Sequence, residues 1–143
     1  MQPGNTPLVE FSQLAPSGTK LYAKLEWFNP TGSIKDRAAW FMFQNAVTDG
    51  KLSPGMPLIE ATSGNTGIGL ARLALMHAHP MVICLPDTAT AERKQLLRAY
   101  GAELIEVPGG PNGAIKHARE LAEAGEGHML YQYGNRWNVY SHF

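Results

Sequence analysis

The chain has 143 residues, 44% of them hydrophobic and 17% charged, the size and composition of one domain able to bury a core. Twelve basic residues balance twelve acidic ones, so there is no basic stripe for nucleic acid and no acidic tail. The longest apolar runs are too short to span a bilayer, and the N-terminal MQPGNTPLVE lacks the charged and apolar regions of a signal peptide.

Two β-like runs open the chain, TPLVEF at 6–11 and KLYAKLE at 20–26, the second alternating apolar and polar residues as a half-exposed strand does. APSG at 15–18 turns between them. Ser33 with Asp36 three residues on is a capping box, and the apolar spacing that follows predicts a helix over 34–48, stopped near Gly50. From there the pattern becomes regular. PLIEA (57–61) reads as a strand, followed by a glycine-bearing loop and a helix over 66–78. MVICL (81–85) reads as a buried strand, and a helix over 90–100 ends at Gly101. ELIEV (103–107) is a strand, 112–124 a helix, and HMLYQ (128–132) a last strand. Four strands alternating with three helices predict a parallel α/β sheet. The segment 6–26 stands apart from that series and has no obvious sheet of its own, and a further helix begins near NVYSHF.

The single cysteine, Cys84, lies in an apolar run and reads as a buried structural thiol in a protein of a reducing cytoplasm. His77 and His79 are two apart, on different faces of a helix, and no second pair stands at metal-ligand spacing. Two stretches remain that carry chemistry. The first is NPTGSIKDRAA (29–39), which places Lys35 in the first turn of a helix, where the dipole disfavours a cation and Arg37 adds a second positive charge. Such surroundings lower an amine's pKa and favour the neutral form that makes a Schiff base, although a lysine at a helix start is also a common surface residue. The second is ATSGNTGIGLA (61–71), between a strand and a helix. Backbone N–H groups at the helix start, with Gly64 and Gly67 allowing close approach, form an anion cradle flanked by Thr62, Ser63, Asn65 and Thr66. The spacing matches neither G-x-G-x-x-G nor a P-loop, and on spacing alone a polar turn with an Asn/Ser cap is slightly the better reading.

GNTPLV (4–9), KLEWFNPTGSIKDRAA (24–39), EATSGNTGIGLA (60–71), AERKQLLRAYGAEL (91–104) and YQYGN (131–135) together resemble the cysteine synthase family of fold type II pyridoxal-phosphate (PLP) enzymes, in the right order and over nearly the whole chain. The wording of 59–68 and of 131–135 is nearer the cysteine synthase B and O-phosphoserine sulfhydrylase branch. The resemblance implies that Lys35 holds PLP as a Schiff base and later removes the substrate α-proton. It implies that Asn65 binds the cofactor's ring hydroxyl. Thr62, Ser63, Gly64 and Thr66, with Gln132, would grip the substrate carboxylate. The implied activity is cytoplasmic cysteine biosynthesis: O-acetylserine or O-phosphoserine loses its β-leaving group to give an α-aminoacrylate, and a sulfur donor adds to it. The implied partners are a second copy in a homodimer and a serine acetyltransferase or sulfur-carrier protein, with no nucleic acid, membrane or metal.

The chain also departs from the family pattern. Arg136 and Trp137 follow YQYGN where the family continues with Pro, and Ala89 stands where Met is frequent. By this resemblance residues 1–30 are leading strands of a large PLP domain and 31–143 are the small domain. The family's glycine-rich phosphate loop and the serine facing the pyridine nitrogen fall beyond residue 143, so the 143 residues alone are expected to hold PLP weakly. Two alternatives remain: another fold type II lyase, such as diaminopropionate synthase, threonine synthase or a dehydratase, and a small domain without catalysis.

Overall fold

The computed structural model describes residues 2–143. It opens with an antiparallel hairpin, β1 (Leu8–Glu10) and β2 (Tyr22–Lys24), in the register Leu8 with Lys24. Helix α1 (Lys35–Thr48) follows. Then come β3 (Leu58–Ala61), α2 (Asn65–Met76), β4 (Met81–Pro86), α3 (Ala91–Ala99), β5 (Glu103–Val107), α4 (Gly110–Glu123), β6 (His128–Met129) and a short α5 (Arg136–Tyr140). Strands β3 to β6 make one parallel sheet in the order β5-β4-β3-β6, as the sequence predicts, and the segment that stood apart from it pairs with itself as a separate two-stranded sheet. Among the described residues no helix is long and apolar enough to cross a membrane.

Both faces of the parallel sheet are covered, which is why its central strands read as near-continuous apolar runs. On one face Leu58, Ile83 and Leu85 pack with Ala39, Met42 and Phe43 of α1 and Leu70 and Ala74 of α2. On the other, Ile59, Ala61 and Cys84 meet Ala114 and Ala118 of α4. Cys84 is fully buried, and burial pushes its thiol up to about 11, so it is inert packing. Helices α1 and α2 approach closely at Gly69. A Cβ there would lie 3.0 Å from Ala39 Cβ and 3.3 Å from Asp36 Oδ1. That approach sets the N-termini of the two helices side by side.

The hairpin is tied to α1 by a polar clasp. Arg37 donates from Nε to Glu26 Oε2 at 2.7 Å and from Nη2 to Glu26 Oε1 at 2.9 Å. Thr6 Oγ1 and Asn29 Nδ2 also donate to the same carboxylate, each at 2.7 Å. The hydrogen-bonded Arg37 guanidinium holds the Glu26 carboxyl down at about 2, against an ordinary value of 4.5. A depressed folded value means the clasp's contribution is present above pH 4.5 and is lost as pH falls from 4.5 towards 2. Glu26→Gln should therefore lower stability at pH 7 by about 1.5–3 kcal/mol and remove that part of the acid slope. Thermal melts of both chains between pH 2 and 7 check this; parallel acid slopes would refute it.

Several boundaries differ from the sequence reading, each for a tertiary reason. The predicted strands 6–11 and 20–26 shrink to three residues each, because Glu26 leaves the strand to meet Arg37 and begins a 3-10 turn, Glu26–Phe28. Helix α4 starts two residues before the predicted 112, behind Gly109 at φ 87°. The predicted strand 128–132 ends at Met129. Tyr131 takes a left-handed φ of 55°, and Gln132 N–H donates to the Glu60 carboxylate instead of a ladder partner.

Candidate active site

A cleft of about 310 Å³ opens at the carboxyl ends of β3 and β4, the place where open parallel sheets take ligands. Lys35, Thr62, Ser63, Gly64, Asn65, Thr66 and Gln132, the seven residues singled out from the sequence, all line it. They come from three separate segments: the start of α1, the turn after β3 and the loop after β6.

Lys35 is the first residue of α1 and is half-buried. Its backbone N–H donates to Ser33 Oγ at 3.1 Å, a local turn that presents the lysine, while the N-cap position of α1 falls on Ile34 and has no side-chain cap. The capping box itself does not form. Asp36 is buried and accepts instead from the Thr31 N–H and hydroxyl, each at 2.8 Å, which fixes the turn before the helix. Arg37 faces Glu26 in the clasp, so its charge is compensated and does not bear on Lys35. The Lys35 amine makes no ion pair with any described residue, while Arg37, Lys51, Lys94, Arg98 and Lys116 each have a carboxylate. Ser33→Ala should cost about 1 kcal/mol, read as a drop in thermal midpoint with the native circular dichroism retained. An unchanged midpoint would show that the turn holds without the hydroxyl.

The second segment enters α2 without a side-chain cap and without an acidic residue in the first turn. Gly64 is extended there, and the first-turn N–H groups open toward the cleft at the positive end of the helix dipole. Thr62 is buried, and its Oγ1 accepts from the Gly64 N–H at 3.1 Å, which holds the turn in shape. Thr66 is buried, Ser63 is half-buried and Asn65 is exposed. The arrangement suits a small carboxylate or phosphate: N–H donors, hydroxyls and no competing anion.

The third segment brings Gln132 back from a distant part of the chain. Its Nε2 donates to the Ala61 carbonyl at 3.1 Å, and its own carbonyl accepts from Asn138 Nδ2 at 2.9 Å. Beneath it lies a residue the sequence reading passed over. Glu60 is fully buried and accepts from Ala61 N–H at 2.9 Å and Gln132 N–H at 3.2 Å. Burial pushes its carboxyl up to about 7, against the opposite pull of the backbone N–H groups of Ala61, Gln132 and Tyr131. The signal was present in PLIEA, a charged residue inside an apolar strand. Tyr133, Pro86, Pro111 and Ala114 complete the wall and were not singled out either.

With this geometry in hand, the comparisons with known proteins agree among themselves. The family model described as pyridoxal-phosphate dependent enzyme matches residues 1–142. Cysteine synthase B of Escherichia coli (strain K12) is 48% identical over 143 residues, covering 98% of this chain and 47% of its own length. A probable cysteine synthase of Bacillus subtilis (strain 168) is 51% identical over 123 residues, 84% of this chain and 40% of that protein. Among solved structures, a cysteine synthase from Entamoeba histolytica superposes with a TM-score of 0.90 at 38% identity, over 99% of this chain and 44% of that one. The chain thus spans about half the length of the first of these relatives, and somewhat less of the other two. Its four-stranded parallel sheet is part of a fold type II PLP architecture. The chain belongs to the family of pyridoxal-phosphate-dependent enzymes.

Proposed function

We propose that the protein carrying this chain is a PLP-dependent cysteine synthase that replaces the β-substituent of O-acetylserine or O-phosphoserine with sulfur. The observation that carries the reading is a cleft lined both by Lys35, which has no ion-pair partner among the described residues, and by a helix N-terminus without a side-chain cap. The residues fit the cofactor. A primary amine suits its aldehyde, an amide at Asn65 suits its ring hydroxyl, and a cleft of about 310 Å³ admits a substituted pyridine. When bound, PLP supplies the electron sink at the substrate α-carbon.

The chain's own residues then divide the work. Lys35 Nζ would hold the cofactor aldehyde, and as a free amine it would take the proton from the substrate α-carbon. The N–H groups and hydroxyls of 62–66 hold the substrate carboxylate, aided by the Gln132 amide, and this fixes the α-proton in line with the lysine. The wall formed by Pro86, Pro111 and Ala114 is apolar and limits water at the reacting carbon. Residues 1–30 are read as part of a larger cofactor domain and 31–143 as the small domain. The exposed apolar side chains of Leu8, Tyr22, Trp27 and Phe28 support that division, since a large domain would cover them. The likeness to cysteine synthases supports reading the enzyme as a cytoplasmic homodimer with a serine acetyltransferase or sulfur-carrier protein as its macromolecular partner.

The test is a direct assay of the complete protein. With PLP, sulfide and either O-acetyl-L-serine or O-phospho-L-serine, free cysteine should accumulate, and the better substrate identifies the leaving group. Deamination of threonine or serine without any sulfur transfer would replace this reading with that of a dehydratase.

A further inference from the structure

Resting on the reading of the cleft as a carboxylate site, we propose that Glu60 is a positioning residue that sets Gln132 against the 62–66 turn. Glu60 is 0% exposed, and among the described residues no cation pairs with it. Burying an unpaired carboxylate is expensive, and an apolar residue of similar volume would serve the sheet better. The carboxylate's two oxygens point to two different parts of the site. Oε1 accepts from the N–H of Ala61, the residue that enters the turn, at 2.9 Å. Oε2 accepts from the N–H of Gln132, 72 positions further along the chain, at 3.2 Å. Gln132 closes the circuit with Nε2 on the Ala61 carbonyl at 3.1 Å.

No ladder does this work. Sheet pairing between β3 and β6 stops at Ile59 with Met129, three residues short of Gln132. The chain then passes through Tyr131 in the left-handed region at φ 55°, a conformation that a non-glycine residue holds only when its surroundings impose it. The Glu60 carboxylate is the acceptor that rewards that conformation. Both oxygens meet N–H donors, so glutamine cannot substitute. One end of its amide is itself a donor and must face a donor, which leaves either Ala61 or Gln132 unpaired.

The experiment uses the 143-residue chain, labelled with ¹⁵N, in three forms: wild type, Glu60→Gln and Glu60→Met. The first readout is hydrogen exchange. In Glu60→Met the Gln132 amide should exchange about tenfold faster and its side-chain NH₂ resonances should move to free-amide positions, and in Glu60→Gln either the Ala61 or the Gln132 amide should exchange that much faster, while Ile83 and Cys84 in β4 keep their protection. The second readout is titration with O-acetyl-L-serine, followed at the amides of 63–66. Half-saturation should need about tenfold more ligand in the variants, and Gln132→Ala combined with Glu60→Met should add nothing to either alone. Unchanged exchange at Gln132 in Glu60→Met, or at both Ala61 and Gln132 in Glu60→Gln, would overturn the proposal. Equal loss of protection in β4 would also overturn it, since Glu60 would then be a general core residue. If the wild-type amides of 63–66 do not respond to O-acetyl-L-serine, the carboxylate reading fails, and the Gln132 exchange alone decides the role of Glu60. Should Glu60→Met not fold, Glu60→Gln carries the test, because it keeps shape and volume.

Discussion

In the complete protein, Lys35→Ala is expected to abolish the Schiff-base absorbance that forms when PLP is added, leaving only the weak background of surface lysines. The effect should be complete because the bond is made by one atom. Lys35 Nζ is the only lysine amine that lines the 310 Å³ cleft, and no carboxylate among the described residues ties it down. The fold should survive. Lys35 is the first residue of α1 and half-buried, alanine is the best helix former, and the Ser33 hydroxyl accepts from the backbone N–H, which alanine retains. In the complete enzyme, loss of the proton-accepting amine alone should lower turnover by about 10²–10⁴-fold. Parallel measurement of the visible spectrum and far-ultraviolet circular dichroism separates lost chemistry from lost structure. A Lys35→Ala chain that still gives the wild-type band would refute the assignment.

Gly67→Ala should be a severely damaging one-methyl change beside the 62–66 turn. A Cβ on Gly67 would stand 2.7 Å from Thr62 Cγ2, with Leu97 Cδ2 at 3.4 Å and Ile83 Cδ1 at 3.5 Å closing the other sides. Thr62 is β-branched and buried, so it can yield only by rotating about χ1. Rotation takes its Oγ1 away from the Gly64 N–H it now accepts at 3.1 Å, and the turn loses its brace. Overpacking together with an unpaired donor should cost about 2–4 kcal/mol. Chemical denaturation measures the first effect. The second is loss of amide shifts at 63–66 on addition of O-acetyl-L-serine. A variant with wild-type stability would mean that the α2 start can move outward without disturbing Thr62, and the rigid-turn account would fall. A Thr62→Ser, Gly67→Ala double variant removes the clashing methyl and should recover much of the loss.

Local sequence determined most of the architecture. The alternation of short apolar runs with 3.6-period segments from 57 onward predicts a four-stranded parallel sheet, and four strands in parallel are what the chain forms. Such patterns are local: a run's period and its flanking glycines settle the element, and both lie within a dozen residues. The turn at 62–66 and the start of α1 were legible for the same reason. What only the tertiary structure decided is which partner each buried polar group takes, most clearly where the partner lies far along the chain. Asp36 looked like half of a capping box and instead holds Thr31. Arg37 looked like a second charge on Lys35 and instead clasps Glu26, eleven residues away. Glu60 drew no notice inside its strand and holds Gln132, 72 residues away. A buried polar side chain takes the partner that the packed fold brings within about 3 Å of it, and that partner's position along the chain leaves no mark in the residues around it.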